Sequence, residues 1–208
     1  MRDIKNVLVA GPNGTLGQPV LRHLQKNESD TTLLTRNVEK TKQAFPGLQA
    51  IEADYDSPTD LQTVLQHTVG DQDALVILIN RDDVQAHINL LSAAAKSGIR
   101  HIIPSSFDIG MHSTFPIRNP VFENKARMEE FLAKKAREGR FGFSAIQTGA
   151  FFDWALERGL LFDVKHNAPS AVFDGGDVPL SGTTLDDIGK AIAAVLKQAD
   201  QFRNRFFS

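Results

Sequence analysis

The sequence predicts an α/β protein, with helices on both faces of a doubly wound parallel sheet of six or seven strands. Apolar runs of strand length alternate along the chain with longer stretches of helical period, which is the pattern of repeated βαβ units. The 208 residues, of which 41% are hydrophobic and 23% charged, suffice for one buried core. Because no stretch has the composition of a linker, we expect a single domain over residues 1–208.

The elements follow in order from these runs and from their boundary residues. Pro58 follows a serine at the start of one helix, and Gly98 and Gly139 follow the ends of two others, as helix capping favours. Strands are predicted over residues 7–10, 31–35, 48–52, 74–79, 101–103, 142–147 and 205–207. Helices are predicted over residues 16–25, 38–44, 61–69, 84–97, 122–137 and 186–197.

Residues 151–182 interrupt this alternation. The segment contains the only tryptophan, several phenylalanines, Pro169 and Pro179, and the turn-forming residues 174–177. We expect a small helix and hairpin that lie over one edge of the sheet. Insertions in such a place shape a substrate pocket, so we assign this segment to the substrate side.

The composition excludes several classes of function. The formal net charge is −2 without a basic patch, and there is no cysteine, so we expect no nucleic-acid partner, no disulfide and no thiolate metal site. No apolar run approaches the ~20 residues of a membrane span. The histidines His87, His101 and His112 lack metal-ligand spacing, so we expect no metal. We expect a cytoplasmic monomer or homodimer whose partner is a small molecule.

Three glycines spaced G-x-x-G-x-x-G stand between the first predicted strand and the first predicted helix. In a βαβ unit such glycines allow a tight turn, close approach of the backbone to a pyrophosphate, and close packing of helix on strand. The alternative is a glycine-rich loop without a ligand. We expect a Rossmann dinucleotide site, whose cofactor contacts in this turn are Gly11, Asn13, Gly14, Thr15, Leu16 and Gly17.

The end of the second strand favours NADP(H) over NAD(H). NAD-binding proteins usually carry an acidic residue there for the ribose 2′-hydroxyl, whereas this chain has Thr35 followed by Arg36. A guanidinium suits a 2′-phosphate through paired, charge-assisted hydrogen bonds. Lys40 or Lys42 would add a second positive charge. The alternative is that all three cationic side chains only solvate the surface.

Other residues fall at the carboxyl ends of further strands, where ligands bind in open α/β sheets. Asp54 and Tyr55 follow the third strand and are placed to border the adenine, although a carboxylate there is also a common turn former or helix cap. Ile79 is the last residue of the predicted fourth strand, Asn80 follows it, and Ser105 follows the fifth strand. We expect all five to contact the cofactor, and Ser105 alternatively to cap the next segment.

Seven segments spread over nearly the whole chain form a more particular pattern than the glycine turn alone. They are GPNGTLG at 11–17, TR at 35–36, IPSSF at 103–107, FENK at 122–125, TGAFFDW at 148–154, DGGDVP at 174–179 and DDIGK at 186–190. Together they resemble the NmrA-like and isoflavone-reductase-like branch of the atypical short-chain dehydrogenases, and its fungal CipA-type members in particular. The segment after Ser105 departs from the family pattern, which often has Glu and then Phe-Gly.

The resemblance implies a role for one lysine. Ordinary short-chain dehydrogenases pair a tyrosine acid with a lysine four residues later, but Val121 stands four residues before Lys125. The only tyrosine, Tyr55, falls on the adenine side. In isoflavone-reductase-like enzymes the retained lysine assists proton transfer or positions the nicotinamide ribose, so we expect Lys125 to be catalytic and also to touch the cofactor. Alternatively it only solvates a charged helix.

The resemblance also implies aromatic walls beside the nicotinamide, for which we select Phe151, with Phe107 and Phe152 toward the substrate. Their alternative role is plain core packing. The sequence thus predicts an NADPH-dependent reductase of a small, aromatic or conjugated substrate. A non-catalytic protein that binds NAD(P) and senses redox state, as the regulatory members of the branch do, is the alternative. A third possibility is a shortened relative with an incomplete substrate part, since family members usually continue further.

Overall fold

The structure is a computed structural model, which describes residues 4–68, 74–79, 84–107, 120–159, 179 and 181–207, with the backbone alone at 120–122. Its strands are β1 (Asn6–Ala10), β2 (Asp30–Thr35), β3 (Gln49–Glu52), β4 (Ala74–Ile77), β5 (His101–Ile103), β6 (Gly142–Ile146), β7 (Ala150–Phe151), β8 (Gly182–Thr183) and β9 (Arg205–Phe207). Its helices are α1 (Gly17–Lys26), α2 (Val38–Ala44), α3 (Pro58–Thr68), α4 (Val84–Ser97), α5 (Pro120–Arg137), α6 (Phe152–Glu157) and α7 (Leu185–Lys197).

Seven of these strands form one parallel sheet in the order β3-β2-β1-β4-β5-β6-β9. The chain builds outward from β1 to β3 on one side, and then crosses back to place β4 against β1. This reversal of strand order opens a crevice at the carboxyl ends of β1 and β4, where open α/β sheets bind their ligands. The sheet confirms the predicted fold class, and it has seven of the predicted six or seven strands.

Two apolar layers cover the sheet, because buried parallel strands present apolar side chains to both faces. One layer combines alternate strand residues with Leu65 of α3, Leu90 of α4 and Leu132 of α5. The other layer combines the remaining strand residues with Leu24 of α1 and Ile192 of α7. The helices of each layer thereby hold in place the strands whose carboxyl ends border the crevice. None of the helices in the described ranges has the length and apolar character needed to cross a membrane.

The observed elements follow the predicted ones closely, with differences at the ligand-binding edge. β4 ends at Ile77 instead of residue 79, although the Leu78 N–H still donates to the Ala10 carbonyl at 2.8 Å. Within 151–182, the expected helix is present as α6. The strands β7 and β8 pair in parallel and so do not form the expected hairpin with each other. The predicted turn at 174–177 lies outside the described residues.

His101 lies in the core of the sheet and is 1% exposed, so its imidazole is not accessible to a ligand as an acid. Its Nε2 lies 2.9 Å from Ser144 Oγ, which itself donates to the Phe202 carbonyl, so the ring nitrogen is the donor of that bond. Burial, followed by the positive charge of Arg203, lowers the pKa of His101 from 6.5 to about 4. The imidazole is therefore neutral in the folded protein at neutral pH.

This histidine makes the protein sensitive to acid. Because its pKa is lower folded than unfolded, its contribution to stability is complete above pH ~6.5 and is lost as the pH falls through 4. We expect the free energy of unfolding to fall by about 2 kcal/mol between pH 7 and pH 5 from this residue alone. Urea denaturation of the wild type and of His101→Gln at both pH values measures the difference. Equal pH dependence of the two proteins would contradict the assignment.

Candidate functional site

The crevice at the reversal of strand order is a cleft of about 420 Å³. Three carboxyl strand ends meet there, those of β1, β2 and β4, so that backbone and side chains from distant parts of the sequence share one surface. The lining residues that the structure describes are Gly11, Pro12, Asn13, Gly14, Thr35, Arg36, Asn37, Lys40, Tyr55, Leu78 and Ile79. The cleft thus contains the predicted glycine turn together with the predicted cation.

The three glycines of the turn serve different purposes. Gly11 has a φ of +81°, and a Cβ there would lie 2.9 Å from the backbone nitrogen of Ile79. A Cβ on Gly17 would lie 1.6 Å from the Pro12 carbonyl oxygen, so no side chain fits. A Cβ on Gly14 would meet its nearest atom, the Gly11 carbonyl oxygen, at 3.4 Å, an ordinary contact. The fold itself requires the outer two glycines, whereas Gly14 is exposed in the cleft, where a Cβ would make only ordinary contacts.

The last two positions before α1 differ in their side chains. Leu16 is buried in the core and precedes the helix, while the side chain of Thr15 is exposed. Among the described residues, the N–H groups of Thr15 and Leu16 donate to no backbone carbonyl. These donors stand at the positive end of the α1 dipole, which favours an anion. Thr15 and Leu16 would therefore contribute their backbone to a ligand.

Tyr55 holds the glycine turn against the end of β2 through its hydroxyl, a role that the sequence did not reveal. Its side chain is 3% exposed, and its hydroxyl accepts from Gly11 N at 3.0 Å and donates to the carbonyl of Leu34. Burial is the main cause that raises the pKa of Tyr55 to about 12. The phenol therefore stays protonated, and it links the ends of β1 and β2 beneath the cleft.

Removing this hydroxyl tests its structural role. In Tyr55→Phe, the Leu34 carbonyl loses its phenol donor, and the Gly11 N–H keeps only a longer bond of 3.3 Å to Leu34. We expect a loss of about 1–2 kcal/mol in the free energy of unfolding, measured by urea denaturation. The control is Ser97→Ala, whose hydroxyl only bonds a carbonyl of its own helix, and which should be close to neutral. Equal stability of Tyr55→Phe and wild type would contradict this role.

A polar network, centred on the buried hydroxyls of Thr35 and Thr41, joins the glycine turn to the start of α2. Asn13 Nδ2 donates to Thr41 Oγ1 at 2.7 Å, and the Thr41 hydroxyl lies 2.9 Å from both Thr35 Oγ1 and the Asn37 carbonyl. Asn37 caps α2, because its Oδ1 accepts from Lys40 N at 2.9 Å. Sequence reasoning missed Thr41, although the capping residue four positions earlier marks its helix start. The network fixes the backbone that carries the two cations.

Positive charge dominates the outer end of the cleft. Arg36 and Lys40 are both exposed and both line it, and no carboxylate stands among its described lining residues. Of the two candidate lysines, Lys40 is thus the one at the cleft, while Lys42 is exposed elsewhere on α2. Asp54 is absent from the described lining residues. Its Oδ1 accepts from Asp56 N at 3.0 Å, which is the alternative role of a turn former.

The remaining predicted cofactor contacts are Ile79, Asn80 and Ser105. Ile79 lines the inner end of the cleft, whereas Asn80 lies outside the described residues. Ser105 is half-buried, and its hydroxyl donates to the Ile79 carbonyl at 3.1 Å. This hydrogen bond joins the segments that follow β4 and β5. Among the described residues, no group of three histidine, aspartate or glutamate side chains could hold a metal ion.

Lys125 lies on the inward-facing stripe of α5. The same stripe continues along the helix with Met128, Leu132 and Ala136, all buried against the sheet. Lys125 is half-buried, whereas Lys134 on the other side of the helix is exposed. A solvating role alone does not explain a lysine on this stripe.

The predicted aromatic residues occupy three different environments. Phe107 is 8% exposed and belongs to the core layer with α1 and α7, which matches its alternative role in packing. Phe151 is half-buried and packs against the same layer. Phe152 is 44% exposed at the start of α6, directly after β7, which pairs with β8 in a separate two-stranded sheet. Phe152 is therefore the one whose ring is available to a ligand.

Comparison with known proteins gives consistent findings. The model of the NmrA-like family matches residues 3–207. The oxidoreductase poxI of Penicillium oxalicum is 28% identical over 202 residues, which cover 95% of this chain and 62% of that protein. The chain thus spans less than two thirds of the length of this relative.

Solved structures show the same fold at low sequence identity. The triphenylmethane reductase of Citrobacter sp., complexed with NADP(H), has a TM-score of 0.77 and 22% identity over 97% of this chain and 68% of that one. The leucoanthocyanidin reductase of Vitis vinifera, complexed with NADPH, has a TM-score of 0.77 and 19% identity over 97% of this chain and 67% of that one.

Proposed function

The chain belongs to the NmrA-like family, which confirms the resemblance drawn from the sequence, and on that premise we propose that it is an NADPH-dependent reductase of a small, aromatic or conjugated substrate. The observation that carries the proposal is the cleft at the glycine turn, with Arg36 and Lys40 on its outer side and no carboxylate among its described lining residues. The name of the relative poxI, an oxidoreductase, supports it. We further propose that residues 1–208 act as one domain, with 151–182 as a substrate-side insertion.

The inner part of the cleft fits the pyrophosphate of a dinucleotide. The backbone at Gly14 is exposed in the cleft, and the N–H groups of Thr15 and Leu16 have no backbone carbonyl partner among the described residues. A pyrophosphate placed there would meet these donors at the positive end of α1. Gly11 and Asn13 would shape the surface beneath it, and Ile79 would border it on the β4 side. Gly17 would act through the close packing of α1 on the turn.

The outer part of the cleft fits a 2′-phosphate better than a free ribose. The Thr35 hydroxyl is engaged with Thr41 and Asn37, so no side chain at the end of β2 is placed to accept a hydrogen bond as an acidic residue would. The guanidinium of Arg36 and the ammonium of Lys40 would together bind the phosphate. This difference is the basis for NADPH rather than NADH.

The bound cofactor would supply the hydride, and the chain would bind it, orient it and stabilise charge at the reacting atom. We propose that Lys125, on the inward stripe of α5, holds a positive charge or a proton at that atom. Phe152 would lie against the substrate, and Phe151 would support the nicotinamide side. Asn80 and Ser105 remain proposed contacts at the carboxyl ends of β4 and β5.

One observation favours a second candidate, a protein that binds NAD(P) and senses redox state without catalysis. The only tyrosine of the chain is buried, its pKa is raised to about 12, and both sides of its hydroxyl are engaged by backbone groups. No tyrosine acid is therefore available, and any catalysis depends on another group. Lys125 is the residue that separates the two candidates.

Titration of the protein with NADPH and with NADH by calorimetry tests the cofactor assignment. We expect Arg36→Ala to weaken NADPH binding by about 10- to 50-fold and NADH binding by less than about threefold, because only NADPH carries the 2′-phosphate. The matched control is Lys42→Ala, which removes an exposed charge outside the cleft and should leave both affinities unchanged. Equal losses for the two cofactors in Arg36→Ala would refute the 2′-phosphate assignment. Binding of neither cofactor by the wild type would refute the proposed function.

A further inference from the structure

Helix α2 is fixed to the rest of the protein by a polar side chain. Its seven residues include only one buried residue, Thr41, which is 0% exposed. The apolar contact of this segment with a core layer is made by Phe45, just beyond the end of the helix. A short helix without an apolar stripe has little packing to fix its rotation. The position of its first turn, which carries Lys40, therefore depends on the hydrogen bonds of Thr41 more than on apolar packing.

The Thr41 hydroxyl joins the two parts of the cleft. It accepts from Asn13 Nδ2 at 2.7 Å, and Asn13 belongs to the glycine turn proposed for the pyrophosphate. The same oxygen lies 2.9 Å from the carbonyl oxygen of Asn37, which caps α2, and 2.9 Å from Thr35 Oγ1 at the end of β2. A single hydroxyl thus connects the turn, the end of β2 and the start of α2.

The two cations of the cleft lie on the segment that this hydroxyl holds. Arg36 stands between Thr35 and Asn37, and Lys40 directly precedes Thr41. Both cationic side chains are exposed, and within the described ranges neither forms an ion pair. Long, exposed side chains have many rotamers, so the backbone beneath them decides whether their charges meet at one point. That backbone is the one that Thr41 contacts.

We propose that Thr41 is a positioning residue that determines the preference for NADPH over NADH, an inference that rests on the proposed function. Its hydroxyl would hold residues 35–40 so that the Arg36 guanidinium and the Lys40 ammonium converge on the 2′-phosphate. The bond to Asn13 would set the distance of this pair from the pyrophosphate. Charge-assisted hydrogen bonds depend on geometry, so a displaced pair would bind the phosphate less tightly. NADH has no 2′-phosphate, and its binding does not depend on the pair.

Replacing Thr41 with valine removes the hydroxyl and nearly keeps the shape of the side chain. Asn13 Nδ2 then keeps only a longer bond of 3.4 Å to Thr35 Oγ1, and the Asn37 carbonyl loses its hydroxyl donor at 2.9 Å. By calorimetry we expect NADPH to bind about five- to tenfold more weakly and NADH to change by less than about twofold. Equal losses for the two cofactors would show a merely structural role and overturn the inference.

Two further variants control for the loss of a buried hydroxyl. Thr41→Ser keeps the hydroxyl and should restore both affinities to within about twofold of the wild type. Thr31→Val removes a hydroxyl that is also buried but lies at the other end of β2, where it donates to the Ser29 carbonyl at 3.2 Å. It should leave both affinities unchanged, and an equal loss of preference in this variant would overturn the inference. Thr41→Ala replaces Thr41→Val if the valine variant does not fold, because alanine favours a helix more.

A double-mutant cycle shows whether Thr41 acts through the two cations. In a protein that already carries Arg36→Ala and Lys40→Ala, there is no pair left to position. We expect Thr41→Val to change NADPH affinity in that background by less than about twofold, because its effect requires the pair. The full five- to tenfold loss in that background would show that Thr41 acts elsewhere in the cleft, which would overturn the inference.

The outcomes separate this inference from the proposed function. If the preference of the wild type for NADPH is lost in Arg36→Ala and kept in Thr41→Val, the inference is overturned while the proposed function stands. A wild-type protein that binds neither cofactor overturns the proposed function and the inference with it. Equal binding of the two cofactors by the wild type overturns the assignment of NADPH, and again the inference with it.

Discussion

Replacing Gly17 with alanine is expected to prevent stable folding. The new Cβ would lie 1.6 Å from the Pro12 carbonyl oxygen and 2.6 Å from the carbonyl carbon, both of them backbone atoms that cannot rotate away. The turn and the first residues of α1 would have to separate, and α1 contributes Val20 and Leu24 to the core. We expect a loss of more than about 4 kcal/mol, against a total stability of about 5–15 kcal/mol for typical domains. Soluble yield and thermal unfolding followed by circular dichroism measure the effect.

The matched control is an alanine at the middle glycine of the same turn. A Cβ on Gly14 would meet the Gly11 and Leu78 carbonyl oxygens at 3.4 and 3.5 Å, which the fold tolerates. We expect the free energy of unfolding of Gly14→Ala to lie within about 1 kcal/mol of the wild-type value. We also expect this variant to bind NADPH at least about tenfold more weakly, because its methyl group would occupy the space proposed for the pyrophosphate. Wild-type stability of Gly17→Ala would contradict the close turn. Wild-type NADPH affinity of Gly14→Ala would contradict the placement of the pyrophosphate.

The glycine turn also shows which parts of the site a sequence reveals. Gly11 and Gly17 were predictable, because a βαβ unit imposes its backbone requirement within a few residues of one strand end. Arg36 was predictable for a related reason, since it follows β2 directly and the sheet brings the end of β2 beside the turn. The choice between Lys40 and Lys42 required the helix cap, because the rotation of α2 decides which lysine faces the cleft.

The contacts that support these residues depend on pairs far apart in sequence. Tyr55 reaches Gly11 across 44 positions, and Thr41 meets Asn13 across 28. No local pattern distinguishes a tyrosine that borders an adenine from one that holds the turn beneath it. The same limit applies to the two serines after β5, because only the structure shows Ser105 donating to Ile79 and Ser106 unpaired among the described residues.

Lys125→Ala is expected to abolish turnover while leaving the cofactor bound. Lys125 is half-buried on the stripe of α5 that packs on the sheet, and the proposed function assigns it to the reacting atom. We expect kcat to fall by at least about 100-fold, the range for loss of a group that transfers a proton or stabilises charge at the reacting atom. The NADPH dissociation constant should change by less than about threefold, since Arg36 and the glycine turn provide most of the proposed binding contacts. A panel of conjugated carbonyl compounds, followed by NADPH oxidation, supplies the assay.

Lys134→Ala is the control, because it removes an equal charge from the exposed side of the same helix and should leave kcat unchanged. Lys125→Arg separates two forms of the proposal. An arginine keeps the positive charge but does not release a proton. Partial activity of Lys125→Arg would therefore indicate charge stabilisation or positioning, and complete loss of its activity would indicate proton transfer. Wild-type turnover in Lys125→Ala would remove this lysine from the mechanism. A wild-type protein that binds NADPH but reduces no compound of the panel would favour the redox-sensing candidate. The burial of Tyr55 agrees with that candidate, because it leaves no tyrosine available as an acid.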